Sequence, residues 1–464
     1  MADEFAAHSQ AYRIRRFLNW FPLGLTYAFL YMARYNLTVS KNAFADLMSK
    51  EAFGIIFGIG TVTYAFSFLI NGPLTDRIGG KRAMLIGAAG AAIMNIIMGI
   101  FTYGILAKHW QINMTLIFSI VYAMNMYFQS YGAVAIVKVN SSWFHIRERG
   151  VFGGIFGILI SLGIYFAFDW GTMVVNATKA VVDVKLNFIQ QALRTLVVGT
   201  NPTIDQTWWV FFVPAFLLGL FFLIELIWLK DRPGQAGYAD FRTGDATSGE
   251  DATPYKTKEL IVKILTNPII VTVALIEFCT GVLRNGIMHW YPIYAKEYLK
   301  LPTDHFLREN WGLMLMLAGA FGGMAAGFIS DKLFGSRRGP SAGLLYGGMI
   351  VATLVMNLVL GGNPFLLGFL IVFMSFCVIG THGMLSGVST MDFGGTKGAA
   401  TAVGLIDGFV YLGTAVQSFS LGFLTTKDWH FWPPFLLPFA VIGFILCLRI
   451  WKAMPNAVRK RPAH

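Results

Sequence analysis

Two arginines stand where arginine is costly. Arg34, in Ala33-Arg34-Tyr35-Asn36, and Arg284, in Leu283-Arg284-Asn285-Gly286, lie inside long apolar stretches, one in each half of the 464-residue chain. A guanidinium keeps its charge at physiological pH. Ionisable residues inside apolar spans face a protein interior or a water-filled cavity, and they mark functional sites. A planar guanidinium meets two phosphate oxygens at once, whereas an ammonium is a point charge. A phosphate monoester carries about −1.5 to −2 charges near neutral pH. Two arginines nearly cancel it, where a monocarboxylate would need one. The pair points to a pocket for a divalent anion at the membrane midplane.

Other polar residues share these stretches. Tyr27, Tyr31 and Arg34 are spaced i, i+4, i+7, so they project from one helix face as a donor-rich wall. Arg284 sits between Gly281 and Gly286, beside Asn285, and Pro292 about two turns later should break or kink the helix. Glu277 lies seven residues before Arg284, with Thr280 and Tyr291 on that side. It pairs with a cation, carries a proton, or neutralises Arg284 or Lys138 in the empty state. The fourth stretch carries Asn125, Gln129 and Gly132, then Lys138 and Ser142 one turn apart. Lys138 either draws in an anion or bridges to an acidic loop residue. Asp407, Tyr411, Thr414 and Ser418 form a polar stripe in the eleventh stretch, lining a cavity or bonding between helices. His289 is counted with the pocket, and His382 reads as a packing histidine. The candidate substrate-binding set is Arg34, Arg284, Tyr27, Tyr31, Gln129, Lys138, Glu277, Asn285, His289, Tyr291, Asp407 and Tyr411.

These residues need a membrane-spanning scaffold, and the composition demands one. The chain is 56% hydrophobic, 15% aromatic and only 13% charged, outside the range of soluble globular proteins. Twelve apolar runs are each long enough, at about 20 residues, to cross a hydrocarbon core as a helix. They cover 17–37, 54–74, 83–106, 114–138, 151–172, 207–229, 268–295, 311–330, 341–361, 364–387, 399–424 and 431–448. With a cytoplasmic N-terminus, 23 of the 36 Lys and Arg fall in cytoplasmic loops and 10 outside. This positive-inside asymmetry puts both termini in the cytoplasm, and the net charge of +12 implies no nucleic-acid partner. The first run is too long for a signal peptide and no small-residue cleavage site follows, so it reads as an uncleaved helix. Cys279, Cys377 and Cys447 lack metal-ligand spacing and read as packing residues. Residues 173–206 form an external segment in which Val181 to Leu196 has amphipathic character.

The polar interruption from Lys230 to Pro268 splits the spans six and six. Its low hydrophobicity cannot support a packed core. The domains are therefore an N-terminal six-helix bundle (1–229), a cytoplasmic linker (230–267) and a C-terminal six-helix bundle (268–464). The halves repeat. Gly72-Pro73-Leu74-Thr75-Asp76-Arg77-Ile78-Gly79-Gly80-Lys81-Arg82 follows the second span and Gly327-Phe328-Ile329-Ser330-Asp331-Lys332-Leu333-Phe334-Gly335-Ser336-Arg337-Arg338 the eighth. The first closely matches the G-x-L-x-D-R-x-G-x-K/R loop of the major facilitator superfamily. Parallel six-helix halves place a substrate at their interface near the midplane. The expected fold is therefore an all-α polytopic membrane protein of the major facilitator type. Asp76, Arg77, Asp331 and Lys332 take a gating role at the cytoplasmic ends.

Four segments carry a closer resemblance: Tyr31-Met32-Ala33-Arg34, Phe128-Gln129-Ser130-Tyr131-Gly132, Trp143 to Gly150, and Val282 to Tyr294. Across nearly its whole length the chain resembles the organophosphate:phosphate antiporter family of glycerol-3-phosphate, hexose-phosphate and phosphoglycerate transporters. The resemblance implies that Arg34 and Arg284 bind phosphate and that Tyr27 and Tyr31 line the pocket. It implies a bacterial inner-membrane antiporter that exchanges an organic phosphate ester for inorganic phosphate by alternating access. Such a protein is a lipid-embedded monomer, not an enzyme, and needs no cofactor or metal. The alternatives are a transporter-like sensor of external sugar phosphate and a carrier of another organic anion. The chain departs from the family pattern at Phe68, where many members have lysine, and at Ser142, Met316 and His289.

Overall fold

The computed structural model describes residues 9–145, 149–182, 184–199, 202–240, 262, 265–335, 337–389 and 399–453. Helices occupy all twelve expected spans: α1 (Gln10–Phe44), α2 (Lys50–Ile78), α3 (Gly80–Lys108), α4 (Met114–Trp143), α5 (Arg149–Tyr165), α8 (Trp209–Trp228), α9 (Pro268–Met288), α11 (Trp311–Phe328), α12 (Arg338–Val359), α13 (Pro364–His382), α14 (Ala399–Lys427) and α15 (Trp432–Arg449). Short helices α6 (Gly171–Thr178) and α7 (Phe188–Val197) lie between α5 and α8, and α10 (Trp290–Glu297) continues α9. Among the described residues, nine of the spans are long and apolar enough to cross a membrane on composition alone, and α1, α4 and α14 are not among them. Those three carry Arg34, Gln129, and Asp407 with Tyr411. Their polarity faces inward, while Phe66, Ile120, Phe216 and Phe369 stay more than half exposed on the outer surface, a belt that suits lipid.

Local chemistry explains the helix ends. Asn-Pro starts both α9 and α13: Asn267 and Asn363 side chains accept from the first free backbone amides, and Pro268 and Pro364 occupy N1, where a missing N–H costs nothing. Gly79 ends α2 at φ 91°, a left-handed backbone that a Cβ disfavours. The kink expected at Pro292 appears as a break at His289, between α9 and α10. Proline has no N–H to offer the carbonyl four residues back. That carbonyl, on Met288, accepts instead from the Trp311 indole at 3.1 Å, and Gly286 O accepts from Trp432 at 2.8 Å. Two tryptophans thus satisfy backbone groups that would otherwise be orphaned in an apolar medium.

Helices cross most closely where side chains vanish. A Cβ on Gly281 would lie 1.9 Å from Val410 O, and one on Gly413 would lie 2.0 Å from Phe278 O. This contact locks α9 against α14 in the C-terminal half. The two halves are tied together at the end bearing Lys41, which the orientation expected from the basic loops makes the outer end. There Glu297 of α10 receives Lys41 Nζ at 2.8 Å and Lys50 Nζ at 3.7 Å, and Lys296 donates to Asn42 O. Asp169, in the π-turn Phe166–Trp170, accepts from Gly312 N at 2.6 Å and Leu313 N at 2.9 Å, capping α11 of the opposite half. The outer end is therefore closed.

Two sequence expectations change in detail. Residues 230–240 are not merely a loose tether: Lys230 N donates to Asn19 Oδ1 at 2.9 Å, and Lys230 O accepts from Trp143 Nε1 at 3.0 Å. Buried aromatic and amide partners supply the packing that the segment's own composition lacks. Residues 241–261 lie outside the described residues, as do 146–148 of the Trp143–Gly150 motif. In the external segment the helix runs over Phe188–Val197, because Asn187 and Gln190 form a reciprocal capping box that sets its start. The three cysteines are free and buried.

Candidate functional site

Arg34 has no exposed surface. Its Nε donates to Gln129 Oε1 at 2.9 Å, Nη1 to Tyr411 OH at 2.8 Å and Nη2 to Tyr64 OH at 3.0 Å. Its guanidinium carbon lies 4.5 Å from the ring centroid of Tyr64, 4.8 Å from Tyr31 and 5.8 Å from Tyr35 and Tyr411. The partner atoms are neutral, so hydrogen bonds and ring faces hold the charge while leaving it uncompensated. Its placement is over-determined. Asn125 Nδ2 donates to Ala33 O at 3.0 Å, and Asn125 Oδ1 accepts from Gln129 Nε2 at 3.1 Å. That turns the Gln129 carbonyl toward Arg34.

Arg284, on α9, is 6% exposed and approaches from the other half. Tyr31, Tyr35 and Tyr411, three of the tyrosines around Arg34, lie within electrostatic reach of Arg284, and its Nε is buried without a hydrogen-bond partner. Among the described residues no carboxylate lies within salt-bridge distance of either guanidinium. Two buried, uncompensated cations from opposite halves thus converge on a common tyrosine cluster. An unpaired buried charge costs several kcal/mol, and an anion between the two would relieve it.

Beside the arginines a chain of polar contacts crosses the molecule. Asn285 Nδ2 donates to Thr414 Oγ1 at 2.7 Å, Asn285 Oδ1 meets His289 Nε2 at 3.2 Å, and His289 Nδ1 meets Thr38 Oγ1 at 2.8 Å. The amide oxygen requires the proton on Nε2, so Nδ1 accepts from Thr38. Tyr35, Phe57 and Phe168 enclose the imidazole at centroid distances of 4.7, 4.5 and 5.8 Å.

The structure brings Arg34, Arg284, Tyr31, Gln129 and Tyr411 together, with Asn285 and His289 adjoining them. Tyr27 stacks edge-on against Tyr31 at 5.3 Å, one turn further in. Four other residues sit elsewhere. Lys138 pairs with Asp76 at 2.7 Å, both about two-fifths exposed, because the inner end of α4 lies against the end of α2. Tyr291 lies past the helix break, stacks on Trp311 at 4.5 Å and lines an outer vestibule of about 250 Å³ with Asn42, Lys179, Lys296 and Arg308. Glu277 neutralises neither Arg284 nor Lys138: its Oε2 bonds His382 Nδ1 at 2.8 Å, so His382 is more than packing. Asp407 accepts from Ser386 Oγ at 2.6 Å. Thr280 also turns away from the site and bonds Tyr346 OH at 2.8 Å. Of the loop residues, Asp331 takes Arg338 at 3.1 Å, and Arg77 and Lys332 are exposed. Tyr64 and Tyr35 were missed. Tyr35 directly follows Arg34, and Tyr64 carries no signal beyond being a tyrosine in an apolar run. Phe68, at the lysine position of the family pattern, packs 4.6 Å from Tyr64 and 6.2 Å from Tyr411, filling that corner with a ring.

The family model of the major facilitator superfamily matches residues 23–418. The chain belongs to the major facilitator superfamily. The glycerol-3-phosphate transporter of Bacillus subtilis is 24% identical over 468 residues, covering 96% of this chain and 95% of its own. The membrane sensor protein UhpC of Salmonella typhimurium is 24% identical over 456 residues, covering 95% and 91%. A probable hexose phosphate transport protein of Chlamydia trachomatis is 25% identical over 475 residues, covering 97% and 94%. Among solved structures, a bacterial homologue of the human lysosomal transporter Spinster, in an inward-facing, unoccupied conformation, matches with TM-score 0.72 at 15% identity. It covers 98% of this chain and 100% of that one. That likeness concerns the fold. This facilitator is thus a membrane-spanning carrier, not an enzyme.

Proposed function

We propose that this facilitator is a bacterial inner-membrane antiporter that exchanges an organic phosphate ester for inorganic phosphate. One observation carries the reading: Arg34 and Arg284, both buried and uncompensated, approach one tyrosine cluster from opposite halves of the fold. Phosphate is the group whose charge and oxygens suit two guanidiniums, and relatives named as transporters of phosphate esters are similar over nearly the whole chain.

Exchange follows from charge. Reorienting an empty site would carry two unpaired cations through closed, desolvated states. Either phosphate species relieves that cost, so loaded forms cross and empty ones stall. The bundles 1–229 and 268–464 rock about the arginines, with the 230–267 segment joining them on the cytoplasmic side. The outer ties at Glu297 and Asp169 break when the site opens outward, and Asp76, Arg77, Asp331 and Lys332 act at the inner ends. Inorganic phosphate serves as counter-substrate, and the working unit is a monomer.

Proteoliposomes loaded with phosphate should take up labelled glycerol 3-phosphate or hexose phosphate, with little uptake into phosphate-free vesicles. Equal uptake into both refutes obligatory exchange. The sensor reading has the similarity to UhpC in its favour. A sensor would bind ester while carrying almost none of it across the same vesicles.

A further inference from the structure

Behind the arginines lies a second group of ionisable side chains that anion binding leaves unused. Glu277, two turns before Arg284 on α9, is fully buried. Its Oε2 is 2.8 Å from His382 Nδ1, and its Oε1 is buried with no partner. Five elements carry ionisable groups within electrostatic reach of this carboxyl. His382 comes from α13, Asp407 from α14, Tyr346 from α12 and Cys447 from α15, while Arg284 and Cys279 share its own helix. Asp407 is held by Ser386, in the π-turn that continues the helix of His382. Within the Glu277–His382 pair, 23% of the histidine side chain is exposed and none of the glutamate.

Two features point the same way. A buried carboxylate oxygen with no donor is expensive while the group is charged, and no solute reaches it, whereas the partly exposed imidazole can pass a proton to the other oxygen, Oε2, and so remove the charge from the whole carboxyl. Repulsion adds to this. An ionised Glu277, two turns from Arg284 and within its electrostatic reach, opposes a phosphate dianion held there, and a proton on Glu277 removes that opposition.

We infer that Glu277 and His382 form a proton-binding site of the carrier, filled when a phosphate species binds and emptied when it leaves. The inference deepens the exchange reading and rests on it. The steps balance. His382 takes a proton at Nε2 from cavity water and gives its Nδ1 proton to Glu277 Oε2, leaving a neutral carboxylic acid and a neutral imidazole. Nothing is oxidised or reduced. A neutral Glu277 no longer repels the dianion at Arg284, so the anion binds more tightly when the proton is on. By reciprocity, anion binding draws the proton in.

The test uses the full-length protein in phosphate-loaded liposomes. The proton that enters with the ester leaves again with phosphate, so exchange moves no net proton and the readout is the pH dependence of labelled glycerol 3-phosphate uptake. Uptake should be about tenfold faster at a pH about one unit lower on both sides, and Glu277→Gln should flatten that dependence. An equal pH dependence in wild type and Glu277→Gln overturns the inference and leaves exchange standing. Absence of exchange in every vesicle overturns the exchange reading instead. Infrared difference spectra of the detergent-solubilised protein between about pH 5 and 9 then decide the proton site alone. A carboxylic-acid band lost in Glu277→Gln and shifted in His382→Asn supports it. No titrating band assignable to Glu277 sinks it. Should Glu277→Gln fail to fold, His382→Asn serves in the same assays.

Discussion

Replacing Arg34 by lysine keeps the charge and removes the geometry. Three nitrogens of the guanidinium now donate to Gln129, Tyr411 and Tyr64 at 2.9, 2.8 and 3.0 Å. A lysine ends in one nitrogen, which cannot reach three acceptors on α4, α14 and α2 at once. With phosphate bound, the side chain loses one of two parallel N–H···O contacts. A charge-assisted hydrogen bond contributes about 1.5–3 kcal/mol, and about 1.4 kcal/mol is tenfold in affinity. Arg34→Lys should therefore bind inorganic phosphate about 10- to 100-fold more weakly. Orphaned Gln129 and tyrosine groups add a fold-stability cost of about 1–3 kcal/mol, so binding must be referred to the folded fraction. The assay is equilibrium binding of labelled phosphate to monodisperse, purified variant, followed by counterflow in vesicles. Arg284→Lys, whose Nε is already unpartnered, should lose a similar factor. If both variants keep wild-type affinity, the reasoning from bidentate geometry is refuted.

Glu297→Gln should loosen the outer closure, because Lys41, whose side chain is only 3% exposed, loses the carboxylate beside it. With Glu297 itself 31% exposed, the cost discounts to about 1–2 kcal/mol, roughly a tenfold gain in the outward-open population. A Thr38→Cys reporter should then react faster with a membrane-impermeant maleimide added outside, and an unchanged rate counts against the gate. Gly281→Ala places a methyl 1.9 Å from Val410 O, so α9 and α14 must separate at a cost of about 1–3 kcal/mol or more. Thermal unfolding in detergent should begin several degrees lower, and an unshifted transition would show that the crossing relaxes freely. Asp76→Asn removes a pair with Lys138 in which both side chains are about two-fifths exposed. Stability should change by less than about 1 kcal/mol, and any fall in exchange rate should appear without loss of folded protein.

Much of this protein was legible along the chain because its controlling forces act along the chain. Run length against bilayer thickness set the twelve spans, and the cost of a guanidinium in apolar surroundings singled out Arg34 and Arg284. The lack of an N–H at Pro292 announced the break that the structure shows at His289. Neighbours three or four residues apart, such as Tyr27 and Tyr31, were equally readable. Partnerships between helices were not. That Glu277 meets His382, 105 residues away, that Lys138 turns to Asp76, and that Tyr64 joins the arginine cluster depend on how each helix is rotated and where helices cross. Close approach at positions such as Gly281 and Gly413 decides those rotations, and it is a property of pairs of surfaces with no periodicity in either sequence alone. Sequence therefore located the charges, and tertiary packing chose which groups face them.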